Sequence, residues 1–301
     1  MNRVSTECRE QIFCSFPSSG RGVFYATLTT ANRKPMQPTI FIYKPVGLTP
    51  LQAVERFRKQ NPEYKDVKIG YAGRLDPMAR GLLLLLIGDE AKQRTKYERL
   101  PKSYTFDVVF GIETDTYDIL GKLKQHQLSN LDETSECNII AIASEMVGKH
   151  QQPYPPFSAG RVKGKPLFYW AREGKLDEIT IPEKAIEIYS LEVASHYELS
   201  MKAFETIVKR RIRKVSGEFR QKEILAEWER FFQVNPQQKV VVFRFRTDVS
   251  SGTYVRSLAH EMGKKVGGGG ICLDIFRTRV GESGIVKNLT VKKEVGNAKL
   301  M

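Results

Sequence analysis

The sequence predicts an α+β fold built on a mixed, largely antiparallel sheet with flanking helices. Three observations carry this expectation. Tyr104, Phe106, Val108 and Phe110 alternate with Thr105 and Asp107, and Val240 to Arg246 alternates in the same way, a period of two that marks half-buried strands. Leu82 to Ile87 is a continuous apolar run between Gly81 and Gly88, which has the length of a strand covered on both faces. From Met201 to Phe232 the apolar residues instead recur at spacings of three and four, the period of amphipathic helices. These elements intersperse without a regular strand-helix-strand repeat, which points away from a doubly wound parallel sheet.

Taken in order, residues 1 to 38 carry five basic and two acidic side chains, many Ser and Thr, and no sustained hydrophobic period. They read as a disordered tail, or as an over-long start with Met36 as the true first residue, ahead of an organelle transit peptide. Pro38 to Tyr43 is an apolar strand. Thr49-Pro50-Leu51-Gln52 then reads as a helix start, with Thr49 at the N-cap, proline at the first helical position and Gln52 placed to close a capping box. Leu51, Val54 and Phe57 are the expected inward stripe of that helix, and Lys44-Pro45 is held at the turn before it.

Gly70-Tyr71-Ala72-Gly73-Arg74-Leu75-Asp76-Pro77 precedes the buried run. An aspartate between a glycine-rich turn and a proline, just ahead of such a strand, is a carboxylate on a rigid mount. Most loop aspartates cap helices or close turns, so the octapeptide makes Asp76 a candidate for chemistry without deciding it. Residues 149–175 hold six basic groups (Lys149, Arg161, Lys163, Lys165, Arg172, Lys175) against one acid, Glu173, interleaved with Tyr154, Phe157, Phe168, Tyr169 and Trp170. That mixture suits phosphate contacts beside base stacking, with some of the aromatics in the core. In the helical stretch Gly217 separates two helices. The run Lys209 to Lys214 is either a solvated helix face or a further nucleic-acid contact. Gly267 to Gly270 lacks the lysine of a phosphate-binding loop and reads as a tight turn.

A chain of 301 residues that is 41% hydrophobic has ample material for a core, and no stretch approaches the length of a membrane span. Forty-eight Lys and Arg against thirty-four Asp and Glu leave a net charge of +14, which favours a polyanionic partner. Nucleic acid leads, with an anionic membrane surface as the alternative. Cys8, Cys14, Cys137 and Cys272 are scattered without a paired spacing, and His126, His150, His196 and His260 form no ligand set. Reduced thiols in the cytoplasm, no metal and no cofactor are the resulting expectations.

Four segments fall together in order: Ile42 to Thr49, the Asp76 octapeptide with Gly81, Thr114-Asp115-Thr116-Tyr117-Asp118 with Gly121, and Ser251 to Ala259 ahead of Phe276 to Gly281. Over roughly residues 39 to 290 they resemble the TruB-type tRNA pseudouridine synthases. The resemblance implies a pseudouridine synthase fold, a curved sheet crossed by a central active-site cleft. It implies a catalytic domain over 39–290, an RNA-clamping segment at 149–175, a helical insertion at about 198–238, a basic tail at 291–301 and no C-terminal PUA domain.

The resemblance also distributes roles. Uridine becomes pseudouridine when the bond from C1′ to N1 breaks, the freed uracil rotates, and its C5 joins C1′. Asp76 is the matching carboxylate, suited either to add to C1′ or to abstract a ribose proton. Arg256 matches the guanidinium that keeps that carboxylate ionised, and Tyr254, two residues earlier on a segment expected to be extended, would project on the same side. Tyr104 matches the tyrosine that stacks on the extruded base and helps remove the C5 proton. Ile275 matches the apolar pocket floor. Lys44, Lys163 and Lys165 join the substrate-binding set, as does Tyr71, which stands where relatives insert a histidine into the RNA loop. Arg74, Tyr43 and Phe276 are further departures from the family's pattern.

The implied reaction is isomerisation of the uridine at position 55, in the T-arm loop of tRNA, by a monomer with no membrane or protein partner. A synthase for another RNA site and a non-catalytic RNA-binding module are the rival readings. Asp76, Tyr104 and Arg256 together speak against the last.

Overall fold

Residues 37–126, 128 and 136–284 are described by the computed structural model. Most of the expected N-terminal extension and the whole basic tail lie outside them. In chain order the elements are β1 (Thr39–Lys44), α1 (Pro50–Gln60), β2 (Ile69–Ala72), β3 (Ala79–Ile87), α2 (Arg94–Glu98), β4 (Lys102–Phe110), β5 (Ile112–Thr114) and β6 (Leu123–His126). There follow α3 (Glu136–Glu145), β7 (Gly148–Pro153), β8 (Arg161–Val162), β9 (Lys165–Pro166), α4 (Leu167–Arg172) and β10 (Glu183–Ser200). The chain continues through α5 (Met201–Arg213), α6 (Gln221–Val234), β11 (Lys239–Val249), α7 (Val255–Val266), β12 (Gly270–Val280) and β13 (Ser283–Gly284).

One nine-stranded sheet runs β1-β3-β12-β4-β11-β10-β7, with β2 added to β3 and β13 to β12. The pairing of β12 with β3 is parallel and every other pairing in this sheet is antiparallel, so the mixed, largely antiparallel sheet is as expected. β1 follows β3 from Gly81 to Leu86, while β12 pairs with Ala79–Gly81 and β2 with Leu84–Ile87. The loop carrying Asp76 therefore leaves β2 and enters β3 beside Ile275–Arg277 of β12.

Alternation along the strands divides the core. Tyr104, Phe106, Phe243, Phe245 and Ile275 pack with α3 and α7, whereas Val109, Val240, Val242, Ile271 and Leu273 pack with α5 and α6 around Phe204 and the fully buried Trp228. Helices α5 and α6 thus build one of the two main apolar clusters. Gly217, at φ +95°, separates the two helices as the spacing predicts.

Three expectations need correction. β4 is covered on both faces, so Asp107 is buried; it accepts two hydrogen bonds from Arg244 (2.7 and 2.8 Å) and one from the Tyr197 hydroxyl (3.1 Å). Thr49, Pro50 and Gln52 form the capping box as read, but Leu51 is 61% exposed and Ala53 joins Val54 in the core. The first turn of α1 overhangs a cavity, and Leu51 lines its mouth. Within the charge run, Lys209 pairs with Glu205 and Glu229, and Arg211 with Asp274, leaving Arg210, Arg213 and Lys214 exposed.

Candidate active site

A cavity of about 770 Å³ gathers the 73–77 loop, the start of β4, residues 116–120, the 154–159 segment, the α5–α6 connection and the first turn of α7. Among its charged lining residues, Arg74, Arg99, Lys102, Arg172, Lys184, Arg220, Arg256 and Arg277 face only Asp76, Glu98 and Asp118. A basic wall around a few carboxylates suits an anionic substrate.

The centre of the cavity is an ion pair. Arg256 is 3% exposed, and its Nε donates to Asp76 Oδ2 at 2.7 Å, while the Asp76 side chain remains 37% exposed to the cavity. Nη1 of Arg256 donates to the Thr116 carbonyl and Nη2 to that of Phe157, and Asp118 Oδ2 lies 3.8 Å from Nε. Burial opposes the charge on the guanidinium, but Asp76 and Asp118 more than offset it and raise its pKa above the usual value. Burial also lifts the Asp118 carboxyl to about 6; Arg256 pulls it down, Asp76 pushes it up, and hydrogen bonds from the Thr116 hydroxyl and the Leu120 N–H favour the ionised form.

The loop under Asp76 is fixed from behind. Arg277, 1% exposed, donates to the carbonyls of Leu82 (2.8 Å), Arg74 (3.2 Å) and Gly73 (3.1 Å). Gly81 makes this approach possible: at φ +117°, a Cβ there would sit 2.2 Å from the Arg277 carbonyl oxygen. Lys44 is wholly buried and donates to the carbonyls of Pro45 (3.1 Å) and Leu48 (2.7 Å), while the Gly47 N–H donates to the Pro77 carbonyl at 2.8 Å. Burial lowers the Lys44 ammonium to about 7 against the attraction of Asp76.

The profile of the TruB family pseudouridylate synthase (N terminal domain) matches residues 59–211. The tRNA pseudouridine synthase B of Aquifex aeolicus (strain VF5) is 32% identical over 260 residues, spanning 86% of this chain and 73% of the relative. This chain belongs to the TruB family. The tRNA pseudouridine synthase B of Chloroherpeton thalassium (strain ATCC 35110 / GB-78) is 30% identical over 258 residues, spanning 84% of this chain and 86% of that protein. A chain in a crystal structure of a Cbf5-Nop10-Gar1 complex is alike in fold, with a TM-score of 0.50 and 19% identity over 82% of this chain and 50% of that one. TruB-family pseudouridylate synthases are isomerases, and the ordered motifs that resembled them lie around one cavity.

The site residues expected for a TruB-family member fall into two groups. Asp76, Tyr104, Arg256, Tyr71, Tyr254 and Ile275 all line the cavity. Tyr254 is held by Gln152, which accepts from its N–H (2.8 Å) and donates to its carbonyl (3.3 Å), and its ring meets Tyr154 edge-on at 5.7 Å. Burial, with Asp76 adding, pushes its phenol up to about 12. Tyr254 and Arg256 do not share an extended segment, as the sequence suggested: Tyr254 caps α7 and Arg256 occupies its first turn, where the helix dipole favours the facing carboxylates. Lys44 is not among the residues lining the cavity; both of its bonds are to the turn behind the aspartate loop. Lys163 and Lys165 are exposed on the β8–β9 hairpin, away from the cavity wall. Lys163 donates to the Glu178 carbonyl (3.2 Å), and Lys165 lies 4.1 Å from the centre of the Tyr169 ring.

Reading of the sequence passed over Asp118, Lys102, Lys184, Arg220 and Arg277. The second acid of Thr-Asp-Thr-Tyr-Asp was the one available signal for Asp118. Lys102 opens β4 and donates to the Glu98 carbonyl (2.6 Å), with burial and the charges of Arg277 and Lys184 lowering it to about 8. Two departures from the family's pattern meet: the Tyr43 and Phe276 rings contact edge-on at 6.4 Å, with Arg80 4.1 Å over Phe276.

Proposed function

We propose that this chain isomerises uridine to pseudouridine in the T-arm loop of tRNA, with Asp76 as the reacting carboxylate. The observation that carries the proposal is a partly exposed aspartate in a large basic cavity, clamped by an almost wholly buried arginine. The clamp sets a buried positive charge against Asp76 and fixes its direction, and a carboxylate so held serves either route, addition to C1′ or abstraction of a ribose proton. Tyr104 lies in the same wall for stacking on the extruded uracil and for removal of the C5 proton, and Ile275 supplies an apolar floor. Atoms balance within the nucleotide, because the C1′–N1 bond is exchanged for a C1′–C5 bond, the C5 proton leaves and N1 gains one.

The relatives' names support tRNA as the substrate. Tyr71, in the wall at the end of β2 with Arg94 5.4 Å from its ring centre, is the residue suited to stack between loop bases. The segment at 149–175, with Lys163 and Lys165 exposed, is read as the clamp on the RNA backbone. Residues 39–290 act as the catalytic domain, and the clamp on Asp76 is complete within one chain, which supports action as a monomer. No helix among the described residues is long and apolar enough to cross a membrane. No group of three metal-ligating side chains occurs among them.

The test is to incubate the protein with full-length tRNA, an isolated T-arm hairpin and ribosomal RNA fragments, then locate pseudouridine by chemical mapping. The expected result is a single modified uridine in the T-arm loop of both tRNA and hairpin, with or without a chelator. Modification confined to ribosomal RNA would assign the chain to another target.

A further inference from the structure

Arg220 belongs to the helical insertion, yet it reaches the active-site wall. It precedes α6 with φ +60°, a left-handed conformation that a long side chain rarely adopts. The connection around it is tied down. The Gln221 side chain donates to the carbonyls of Val215 (3.2 Å) and Gly217 (2.6 Å) and accepts from the Phe219 N–H (2.8 Å). The guanidinium of Arg220 donates to both oxygens of Asp115 (2.7 and 3.2 Å) and lies 4.1 Å from the centre of the Phe157 ring. The Lys122 N–H also donates to Oδ1 of the Asp115 carboxylate, at 2.9 Å.

These partners adjoin the carbonyls that hold the central ion pair. Arg256 donates to the carbonyl of Thr116, next to Asp115, and to the carbonyl of Phe157 itself. A shift of either segment would release a bond to Arg256, and Arg256 aims Asp76. A second tie runs from the same insertion: the Ser216 N–H donates to the Gly47 carbonyl (2.9 Å), and the Gly47 N–H donates to Pro77, the neighbour of Asp76 (2.8 Å).

We propose that Arg220 is a positioning residue for the isomerisation, fixing the 115–118 turn and the 157 segment so that Arg256 holds Asp76 at its working angle. This rests on the reading that the cavity isomerises uridine. A phosphate contact is the weaker role for Arg220, because its fork is already engaged by Asp115 and its face by Phe157. Displacements well under 1 Å at a reacting group suffice to slow chemistry, so the effect is read in rate.

The experiment uses the full chain with Arg220→Ala, Arg220→Lys, Asp115→Asn and the Arg220→Ala/Asp115→Asn double variant. Single-turnover isomerisation at saturating T-arm hairpin should fall by roughly tenfold to a hundredfold in each single variant. The double variant should be no slower than the slower single one, with hairpin affinity and its salt dependence unchanged. Unchanged rates, or lost affinity with an intact saturated rate, would overturn the proposal. Amide hydrogen exchange separates this from failure of the functional reading, since it needs no substrate. Residues 115–120 and 157–160 should exchange faster in Arg220→Ala while β4 and α7 keep their protection. Uniform acceleration across the chain, or no change, would also overturn it.

Discussion

Arg256 and Arg220 tie together the same two stretches of chain, residues 115–118 and Phe157, by different means. Arg256 is almost wholly buried and works through main-chain carbonyls and two carboxylates. Arg220 keeps 21% of its side chain exposed and works through one carboxylate and one ring. The inner arginine carries the charge that Asp76 needs, and the outer one steadies the frame through which that charge is aimed. One belongs to α7, packed under the sheet; the other stands at the start of α6, which with α5 builds a separate apolar cluster.

The comparison predicts unequal losses. Arg256→Ala should lower the single-turnover rate by at least about 10³-fold, because it removes the partner of the reacting carboxylate. It should also destabilise the fold by about 3 kcal/mol, since Asp118 is left buried without its guanidinium. Arg256→Lys retains the charge and loses the fork, so most of the rate loss should persist while stability recovers. Equal rates in Arg256→Ala and Arg220→Ala would erase the distinction between the two arginines.

Asp118 sharpens the same contrast through pH. Its folded carboxyl sits at about 6 against an ordinary value of 3.8. Below about pH 4 both folded and unfolded states are protonated, and its contribution to stability is fully present. As pH rises the unfolded chain releases its proton first, so that contribution declines until the folded carboxyl ionises near 6. Asp118→Asn removes this titration and should lose less stability than the parent between pH 4 and 7, by about 2 kcal/mol. Denaturant unfolding at the two pH values measures the difference; parallel curves for variant and parent would contradict it.

Gly47 tests the link from the α5–α6 connection to the aspartate loop. It stands at φ +98°, and a Cβ there would lie 2.2 Å from the Lys214 carbonyl oxygen. Gly47→Ala should destabilise by about 1–3 kcal/mol and slow turnover, with hairpin affinity retained. An unaffected variant would mean that the α5–α6 connection does not bear on the loop. The smallest effect is expected at the rim: charge reversal at Lys163 and Lys165 should weaken tRNA binding, more at low salt, with turnover at saturating RNA preserved. Unchanged affinity would remove that hairpin from the RNA-binding surface.

The inner site was far more legible in the sequence than the outer one. Leu82 to Ile87 is covered on both faces, so its apolar run is unbroken, and the capping box of α1 is a local pattern that needs no tertiary partner. Asp76 and Arg256 lie in motifs whose glycines and prolines mark a fixed backbone. Asp107 misled because burial on the second face of β4 comes from strand neighbours and from α5 and α6, which no window of sequence contains. Lys44 was legible only as a residue of the turn before α1; its ammonium turned inward onto two carbonyls needs the fold to be seen. Arg220 was silent, because it sits in an aperiodic connection and its partners are distant in sequence. Leu51 kept the helical spacing but lost its cover where α1 overhangs the cavity.

The central claim is that Asp76, held by Arg256, performs the isomerisation. It is tested most directly by tritium release from tRNA transcripts labelled at C5 of uridine, comparing the parent chain with Asp76→Asn. The substitution preserves shape and removes the nucleophile or base, so release should fall to background while hairpin affinity stays within about twofold of the parent. Release from Asp76→Asn at a rate comparable to the parent's would contradict the assignment of Asp76.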